Sequence, residues 1–198
     1  MRLWEIEQGL FEEGWQVVCG VDEAGRGPLA GPVCAAAVIL PRFLEIEGLD
    51  DSKKLTPKKR DRLYDEIVEK AVAYGVAFAT EAEIDELNIL NATFLAMNRA
   101  IQKLNIAPEL ALIDGNRGTG IQCPHTCVVG GDGKSASIAA ASVLAKVSRD
   151  RVMEQMDREY PEYEFARHKG YGTKLHYEKL RQFGPSPVHR KTFLKKMH

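Results

Sequence analysis

Two adjacent carboxylates, Asp22 and Glu23, close a short apolar run over residues 16–21 and are followed at once by Gly25-Arg26-Gly27. A strand that ends in acids puts charge at the rim of a sheet, where ligands bind, and glycines there let backbone approach a ligand closely. Two further apolar runs end in the same way. Residues 110–113 lead into Asp114-Gly115-Asn116, and residues 126–129 lead into Gly130-Gly131-Asp132-Gly133. Strand ends of one sheet converge in space whatever their separation in the chain. Clustered carboxylates repel unless cations hold them. An oxygen-only set without Cys or His selects Mg²⁺ or Mn²⁺ over zinc. Two such ions about 3.5–4 Å apart activate a water and steady the leaving oxygen of a phosphodiester. Asp22, Glu23, Asp114 and Asp132 are therefore the candidate metal ligands and catalytic residues for two-metal hydrolysis. Each acid has an ordinary use as well: Asp132 suits a helix cap, and Asp114-Gly115 a plain turn. Neighbouring residues of an extended strand point to opposite faces. For Asp22 and Glu23 to serve the same ions, the strand must bend near Gly25 and Gly27, or Glu23 must reach around the edge.

The elements that position these acids are legible in outline. Residues 16–21 and 32–40 read as two buried strands, the second stopped by Pro41, and the short link between them favours an antiparallel hairpin. Thr56-Pro57 opens a helix reaching about residue 71, capped by the threonine. Residues 72–80 read as a third strand, and 83–104 as one helix with apolar spacing near 3.6. Residues 110–113 and 126–129 are short strands. A long helix over 135–156 presents an alanine-rich face suited to close packing on a sheet, and residues 173–183 form a further helix. Hairpin followed by helix–strand alternation gives an α/β domain with a mixed central sheet flanked by helices, over residues 1–160. A basic, helical C-terminal region over 161–198 packs against it.

The net charge is −1, with 27 Lys and Arg against 28 Asp and Glu. The distribution is more telling. Residues 166–198 hold nine basic residues and one acid, Glu178, so the acidic excess lies in the remainder of the chain. Tyr171, Tyr177, Phe183 and Phe193 are interleaved with those cations, as on surfaces that pair phosphate contacts with ring stacking. A basic tail kept for solubility is the plainer alternative. No apolar run is long enough to span a membrane, and the first residues are acidic where a signal peptide is basic and then apolar, so a cytoplasmic protein is expected. Cys19 and Cys34 fall in apolar runs and read as small buried hydrophobes. Cys123-Pro124-His125-Thr126-Cys127 lacks the second ligand pair of a structural zinc site. Gly133-Lys134-Ser135 has the ending of a P-loop, but the glycine that motif needs five residues earlier is Val128. Lys134 and Ser135 remain candidate phosphate contacts at a helix start.

Taken together, residues 21–33, Asp51-Ser52-Lys53-Lys54-Leu55, Ile113-Asp114-Gly115, residues 131–135 with 137–142, and His168-Lys169-Gly170-Tyr171-Gly172-Thr173 closely resemble bacterial ribonuclease HII, a type 2 ribonuclease H of the RNase H-like superfamily. The resemblance runs in order from about residue 16 to 192, and no position of these motifs departs from it. It implies an RNase H-like sheet and a helical C-terminal region that helps clasp an RNA/DNA hybrid. It also implies four metal-binding carboxylates at Asp22, Glu23, Asp114 and Asp132, with two Mg²⁺ or Mn²⁺ ions. Gly25-Arg26-Gly27 with Tyr171 then reads a ribonucleotide joined to DNA. Backbone of Gly25 and Gly27 can reach a 2′-hydroxyl, the contact that tells RNA from DNA, while Arg26 holds a phosphate and the Tyr171 ring packs on a sugar. Lys53, Lys54, Lys169 and Lys174 become phosphate-backbone contacts, blind to sequence, each equally readable as a solvated surface lysine. The expected activity is endonucleolytic cleavage of the RNA strand of RNA/DNA hybrids and of ribonucleotide-containing duplex DNA, 5′ of the ribonucleotide, leaving 3′-hydroxyl and 5′-phosphate ends. A monomer without a membrane partner is expected. The short stretch before the first strand favours ribonuclease HII over the HIII type, which carries an extra N-terminal domain. The alternatives are another RNase H-like two-metal nuclease, such as a junction-specific one, and a non-catalytic hybrid-binding protein.

Overall fold

The apolar runs at the start of the chain become the middle of a sheet. A computed structural model describes residues 2–49 and 55–195; the expected phosphate contacts Lys53 and Lys54 lie outside them. β1 (Val18–Ala24) pairs antiparallel with β2 (Val33–Ile39), which pairs antiparallel with β3 (Ala73–Ala79). β4 (Leu110–Asp114) lies parallel to β1, and β5 (His125–Val128) parallel to β4, giving the order β3-β2-β1-β4-β5. β2 is buried along its whole length, as its unbroken apolar sequence requires, whereas edge strand β3 alternates between buried and partly exposed positions. Strand and helix periods thus place a mixed sheet between two helical layers.

One layer carries α4 (Ile89–Gln102), whose Phe94 and Met97 join Cys19, Val21, Ala35 and Ile113 in one core. The other carries α2 (Pro57–Lys70) and the long α5 (Ala136–Glu159), which bury Leu63, Ile67, Ala140 and Leu144 against Cys34, Ala36 and Val38. α1 (Glu5–Glu12) precedes the sheet. Thr56 caps α2 by accepting from the Lys59 N–H, with Pro57 in its first turn. The single helix expected over 83–104 is two. α3 (Glu81–Leu87) and α4 meet at Asn88, whose backbone takes φ 68°, and whose Oδ1 accepts from Leu90 N and Asn91 N at 3.0 and 3.1 Å. Asparagine tolerates that conformation and caps well, and these properties outweigh a continuous apolar period.

Beyond α5, α6 (Phe165–His168), α7 (Lys174–Phe183) and α8 (Lys191–Leu194) fold back on the segment that follows β1. Their core joins Tyr163, Phe165 and Leu180 to Met153 of α5 and to Leu29 and Ala30. Backbone bonds from Leu29 N to Gly170 O, Gly31 N to Val188 O and Arg190 N to Leu29 O stitch the two segments together. Asp85 of α3 accepts from the N–H groups of Lys191 and Thr192, both at 2.9 Å, and so caps α8. No described helix is long and apolar enough to cross a membrane.

Candidate metal centre and nucleic-acid interface

β1 and β4 run parallel with Val21 opposite Ile113, so the next residues along, Asp22 within β1 and Asp114 at the end of β4, lie side by side. Asp132 follows β5 in a short 3₁₀ turn, Gly131–Gly133, that leads into α5. The Gly131 N–H donates to Asp114 Oδ1 at 2.7 Å and pins that turn to the strand end. One carboxylate oxygen from each of Asp22, Asp114 and Asp132 lies within 4.8 Å of the other two. Asp22 is 4% exposed and Asp132 7%. Burial, reinforced by the charges of Glu23 and Asp114, raises the pKa of Asp22 well above the usual carboxylate range, against hydrogen bonds from the Glu23 N–H and the Ser142 side chain. A set of hard oxygens so close and so poorly hydrated fits a divalent cation such as Mg²⁺ or Mn²⁺, which would restore the ionised form of each.

Glu23 does not share that face. The ladder to β2 continues in register through Ala24, so the strand stays extended and neighbouring side chains diverge. Asp22 points toward α5, and Glu23 toward α4. Glu23 lines a crevice of about 320 Å³ with Asp114, Thr93 and Phe94, and its Oε1 lies 3.4 Å from Arg26 Nη1. Glu23 and Asp114, at the rim, both line this crevice and the adjoining one that Asp22 faces, so Glu23 reaches the edge of the Asp22 crevice although it leaves the opposite face of the strand.

That second crevice also brings Gly25, Arg26, Gly27, Ser142, Lys146 and Tyr171 together. Two buried arginines build its wall. Arg149 of α5 donates to the carbonyls of Pro32, Lys169 and Ala30 at 3.0, 3.0 and 3.1 Å. Arg190 donates to the carbonyls of Gly31, Arg26 and Gly25 at 2.9, 2.9 and 2.6 Å. Among the described residues neither shows a carboxylate hydrogen bond, and burial lowers the pKa of both, Arg190 to about 9. Gly25 has φ +99°, and a Cβ there would fall 1.9 Å from Arg149 Nε. The first glycine of Gly-Arg-Gly thus gives Arg149 room to pass beneath the loop. Tyr171, 43% exposed, stands opposite, with Arg149 Cζ 5.9 Å from its ring centre.

The other expected contacts separate into accessible and inaccessible ones. Ser135 is fully buried: its hydroxyl caps α5 by accepting from Ile138 N at 3.2 Å and donates to Glu7 Oε1 at 2.6 Å. Glu7 also accepts from Ser137 N at 3.0 Å, so a carboxylate of the chain itself occupies the positive end of α5, and Ser135 is not offered to a phosphate. Lys134 is exposed and donates to Val129 O at 2.7 Å. Lys169 pairs with Glu154 at 2.7 Å. Part of the C-terminal positive charge is engaged inside the fold: Arg190 is buried, while Arg167 and Lys179 both pair with Glu164, at 2.6 and 2.7 Å. Lys174 stays outside, its side chain 92% exposed. Ser142, Lys146 and Arg149 were not singled out from the sequence as site residues. Their spacing puts them on one stripe of a helix otherwise rich in alanine and valine, a polar interruption that marks the side facing the site.

The sequence matches the family model described as Ribonuclease HII over residues 19–198. The ribonuclease HII of Caldicellulosiruptor saccharolyticus is 54% identical over 192 residues, covering 97% of this chain and 94% of that protein. The crystal structure of ribonuclease H2 from Pyrococcus horikoshii superposes with a TM-score of 0.73 at 29% identity, over 89% of this chain and 93% of that one. Bst-RNase HIII, crystallised in complex with Mn²⁺, shares the fold with a TM-score of 0.69 at 22% identity, over 86% of this chain and 64% of that one.

Proposed function

The chain belongs to the ribonuclease HII family and is an endoribonuclease, and from that premise we propose that it hydrolyses the RNA strand of RNA/DNA hybrids and cuts 5′ of single ribonucleotides embedded in duplex DNA, by two-metal-ion catalysis. The observation that carries this reading is the convergence of Asp22, Asp114 and Asp132 within 4.8 Å, beside the crevice lined by Gly25, Arg26, Gly27 and Tyr171. Those three carboxylates would hold a divalent cation, and Glu23, which with Asp114 lines both crevices, would contribute to a second. The bound ions supply Lewis acidity toward the scissile phosphodiester and lower the pKa of the attacking water. Mg²⁺ or Mn²⁺ follows from the all-oxygen donors.

The chain's own residues position the substrate. The Gly25 and Arg26 carbonyls face inward to Arg190, so reading a 2′-hydroxyl falls first to the loop's N–H groups, reached without hindrance past Gly27. Arg26 bears on a phosphate, and the exposed Tyr171 ring on the neighbouring sugar. Lys146 sits where both crevice and helix face meet the same strand. Lys134 and Lys174 are accessible backbone contacts, blind to sequence.

The test is a duplex carrying one ribonucleotide, an RNA/DNA hybrid and an all-DNA duplex, each incubated with Mg²⁺ or with EDTA. Cleavage of the first two only, 5′ of the ribonucleotide and abolished by EDTA, is expected. Cleavage of all-DNA substrate would move the protein to another two-metal nuclease class, and metal-independent cleavage would remove the carboxylate mechanism.

A further inference from the structure

Tyr171 reaches the crevice from a turn whose peptide groups are gripped by buried histidines. His168 Nδ1 accepts from the Gly170 N–H at 3.2 Å, and its Nε2 lies 2.9 Å from Tyr163 O. His176 Nδ1 lies 2.9 Å from Tyr171 O, and its Nε2 lies 3.0 Å from Nε2 of His189. His189 Nδ1 accepts from the Ser186 N–H at 2.9 Å.

These partners fix every proton. A carbonyl oxygen only accepts, so His176 carries its hydrogen on Nδ1 and donates to Tyr171 O. A backbone N–H only donates, so His189 Nδ1 is bare, and its hydrogen sits on Nε2, directed at the bare Nε2 of His176. The same logic puts the hydrogen of His168 on Nε2. A second proton on either His176 or His189 would set two N–H groups against each other. Burial favours the same neutral forms, lowering His176 and His189 to about 4. The His168 and His176 rings stack with centres 4.3 Å apart, and Phe165 meets His176 edge-on. With each ring nitrogen already engaged, none is left for a metal.

We propose that His176, oriented by His189, is a positioning residue for substrate selection: its Nδ1–H holds the Tyr171 carbonyl and thereby sets the angle at which the Tyr171 ring meets the crevice. The inference rests on the reading of Tyr171 as a substrate contact. On its face the ring meets the Arg149 guanidinium, 5.9 Å from its centre. Its backbone is held at the N–H by His168 O, 2.9 Å away, and at the carbonyl by two donors, His176 Nδ1 at 2.9 Å and the Thr173 N–H at 2.8 Å. Loss of the histidine donor leaves the carbonyl on a local turn bond alone, which sets the angle of the ring less firmly.

The test is a double-mutant cycle. The kcat/KM values on a single-ribonucleotide duplex and on a long RNA/DNA hybrid are compared for wild type, His176→Gln, Tyr171→Ala and the double variant. Glutamine can keep an acceptor toward His189 and loses the donor toward Tyr171. Asparagine can place its amide near the position of Nδ1, so His176→Asn serves as the rescue. His176→Gln is expected to lose about tenfold on the single-ribonucleotide duplex, the worth of one ordinary hydrogen bond, and less on the long hybrid. His176→Asn should recover most of that loss, and the Tyr171→Ala background should abolish it. Additive losses in the double variant overturn the proposal, since the histidine then acts on something other than the ring. If Tyr171→Ala alone leaves the ratio of the two substrates unchanged, the reading of Tyr171 as a substrate contact fails first. Should His176→Gln not fold, ¹⁵N spectra of wild type give the answer: a hydrogen on His176 Nε2 instead of Nδ1 takes the histidine donor from Tyr171 O, leaving the Thr173 N–H alone there, and overturns the proposal.

Discussion

Gly20→Ala tests whether the position of α5 governs the carboxylate cluster. Gly20 lies in the middle of β1, paired with Val38 on one side and Leu112 on the other. A Cβ at this position would stand 2.1 Å from Ser137 C, 2.2 Å from Ile138 N and 2.5 Å from Ser137 O. All three are backbone atoms of the first turn of α5, so no rotamer change relieves the clash. Carbon atoms pack at about 3.5–4 Å, and the helix start must therefore retreat by on the order of 1 Å. Asp132 enters that turn from its 3₁₀ segment, and Ser142 hydrogen-bonds Asp22 from the same helix. Asp22 and Asp114 stay with their strands. The retreat thus opens the three-carboxylate set along one edge.

Overpacking of this kind costs about 1–3 kcal/mol, which in a chain of this size lowers Tm by about 2–12 °C. A misplacement of about 1 Å at reacting groups costs roughly 100-fold in rate. Mg²⁺ activation curves for hybrid cleavage, with thermal melts in parallel, separate the two effects. Gly9→Ala is the control: a Cβ there meets nothing within 4 Å, and the site lies inside α1. It should stabilise by about 0.5–1 kcal/mol and leave cleavage unchanged. A Gly20→Ala protein that melts early yet keeps wild-type turnover and Mg²⁺ requirement would refute the reasoning, because the helix could then shift without disturbing the ligands.

Three further outcomes follow from the same geometry. Asp114→Asn keeps an oxygen for the Gly131 N–H but removes a charge from the cluster, so cleavage should fall at least 1,000-fold while hybrid binding, measured by fluorescence anisotropy, survives; turnover near wild type would take Asp114 out of the metal site. Arg190→Met leaves the carbonyls of Gly25, Arg26 and Gly31 without their donor and should cost about 3 kcal/mol by denaturant titration, with single-ribonucleotide cleavage falling further than long-hybrid cleavage; an equal fall on both substrates would confine Arg190 to the fold. His176 and His189, both lowered to about 4, bind protons more readily when unfolded, so their contribution is complete above about pH 6.5 and is lost as pH falls toward 4. Halving the full slope for residual screening gives a loss of about 2 kcal/mol by pH 5, or about 4–8 °C in Tm by calorimetry; Glu83 and Glu164, held near 2, act only at lower pH, whereas the raised Asp22 and Glu81 act in the opposite sense, so the melts are run in an Asp22→Asn, Glu81→Gln background, where a Tm that is flat from pH 7 to 5 contradicts the neutral histidine chain.

The acids were legible because a change of composition at a single residue marks where an apolar run stops, although only Asp114 ends its strand: β1 runs on through Asp22 and Glu23 to Ala24, and Asp132 sits in the 3₁₀ turn after β5. The hairpin was legible because so few residues separate two apolar runs. The divergence of Asp22 and Glu23 to opposite faces was legible too, as a consequence of strand period; only the structure says that the strand continues straight through Ala24 and that Glu23 still reaches the rim of the crevice lined by Asp22. What the sequence hid was long-range. Ser135 looks like an anion contact until Glu7, distant in the chain, fills the same helix end. The C-terminal cations look like one face until Glu164 and Glu154 engage several of them. Asn88 breaks a helix whose apolar period runs on past it. Arg190 and the three histidines carry no local signature, because their partners are backbone groups and one another.

Those hidden partners explain how reading and cutting are held in one frame. α5 begins just after Asp132, meets Asp22 through Ser142, presents Lys146 to the crevice and passes Arg149 under Gly25 to the carbonyls of Ala30, Pro32 and Lys169. At 1.5 Å per residue, the span from Ser135 to Arg149 is about 21 Å, all of it one rigid helix. The metal-binding end and the Gly-Arg-Gly end are thus fixed to a single rod, and the C-terminal region is fixed to the same loop through Arg190. On the proposed function, a substrate that seats its ribonucleotide against Gly25-Arg26-Gly27 and Tyr171 would have its adjoining phosphodiester placed relative to Asp22, Asp114 and Asp132 by that one helix. Selectivity on this account is a matter of register along α5: changes that loosen Arg149 or Arg190 blur the choice of bond, whereas changes at Gly20 or Asp132 slow the cut and leave the choice intact.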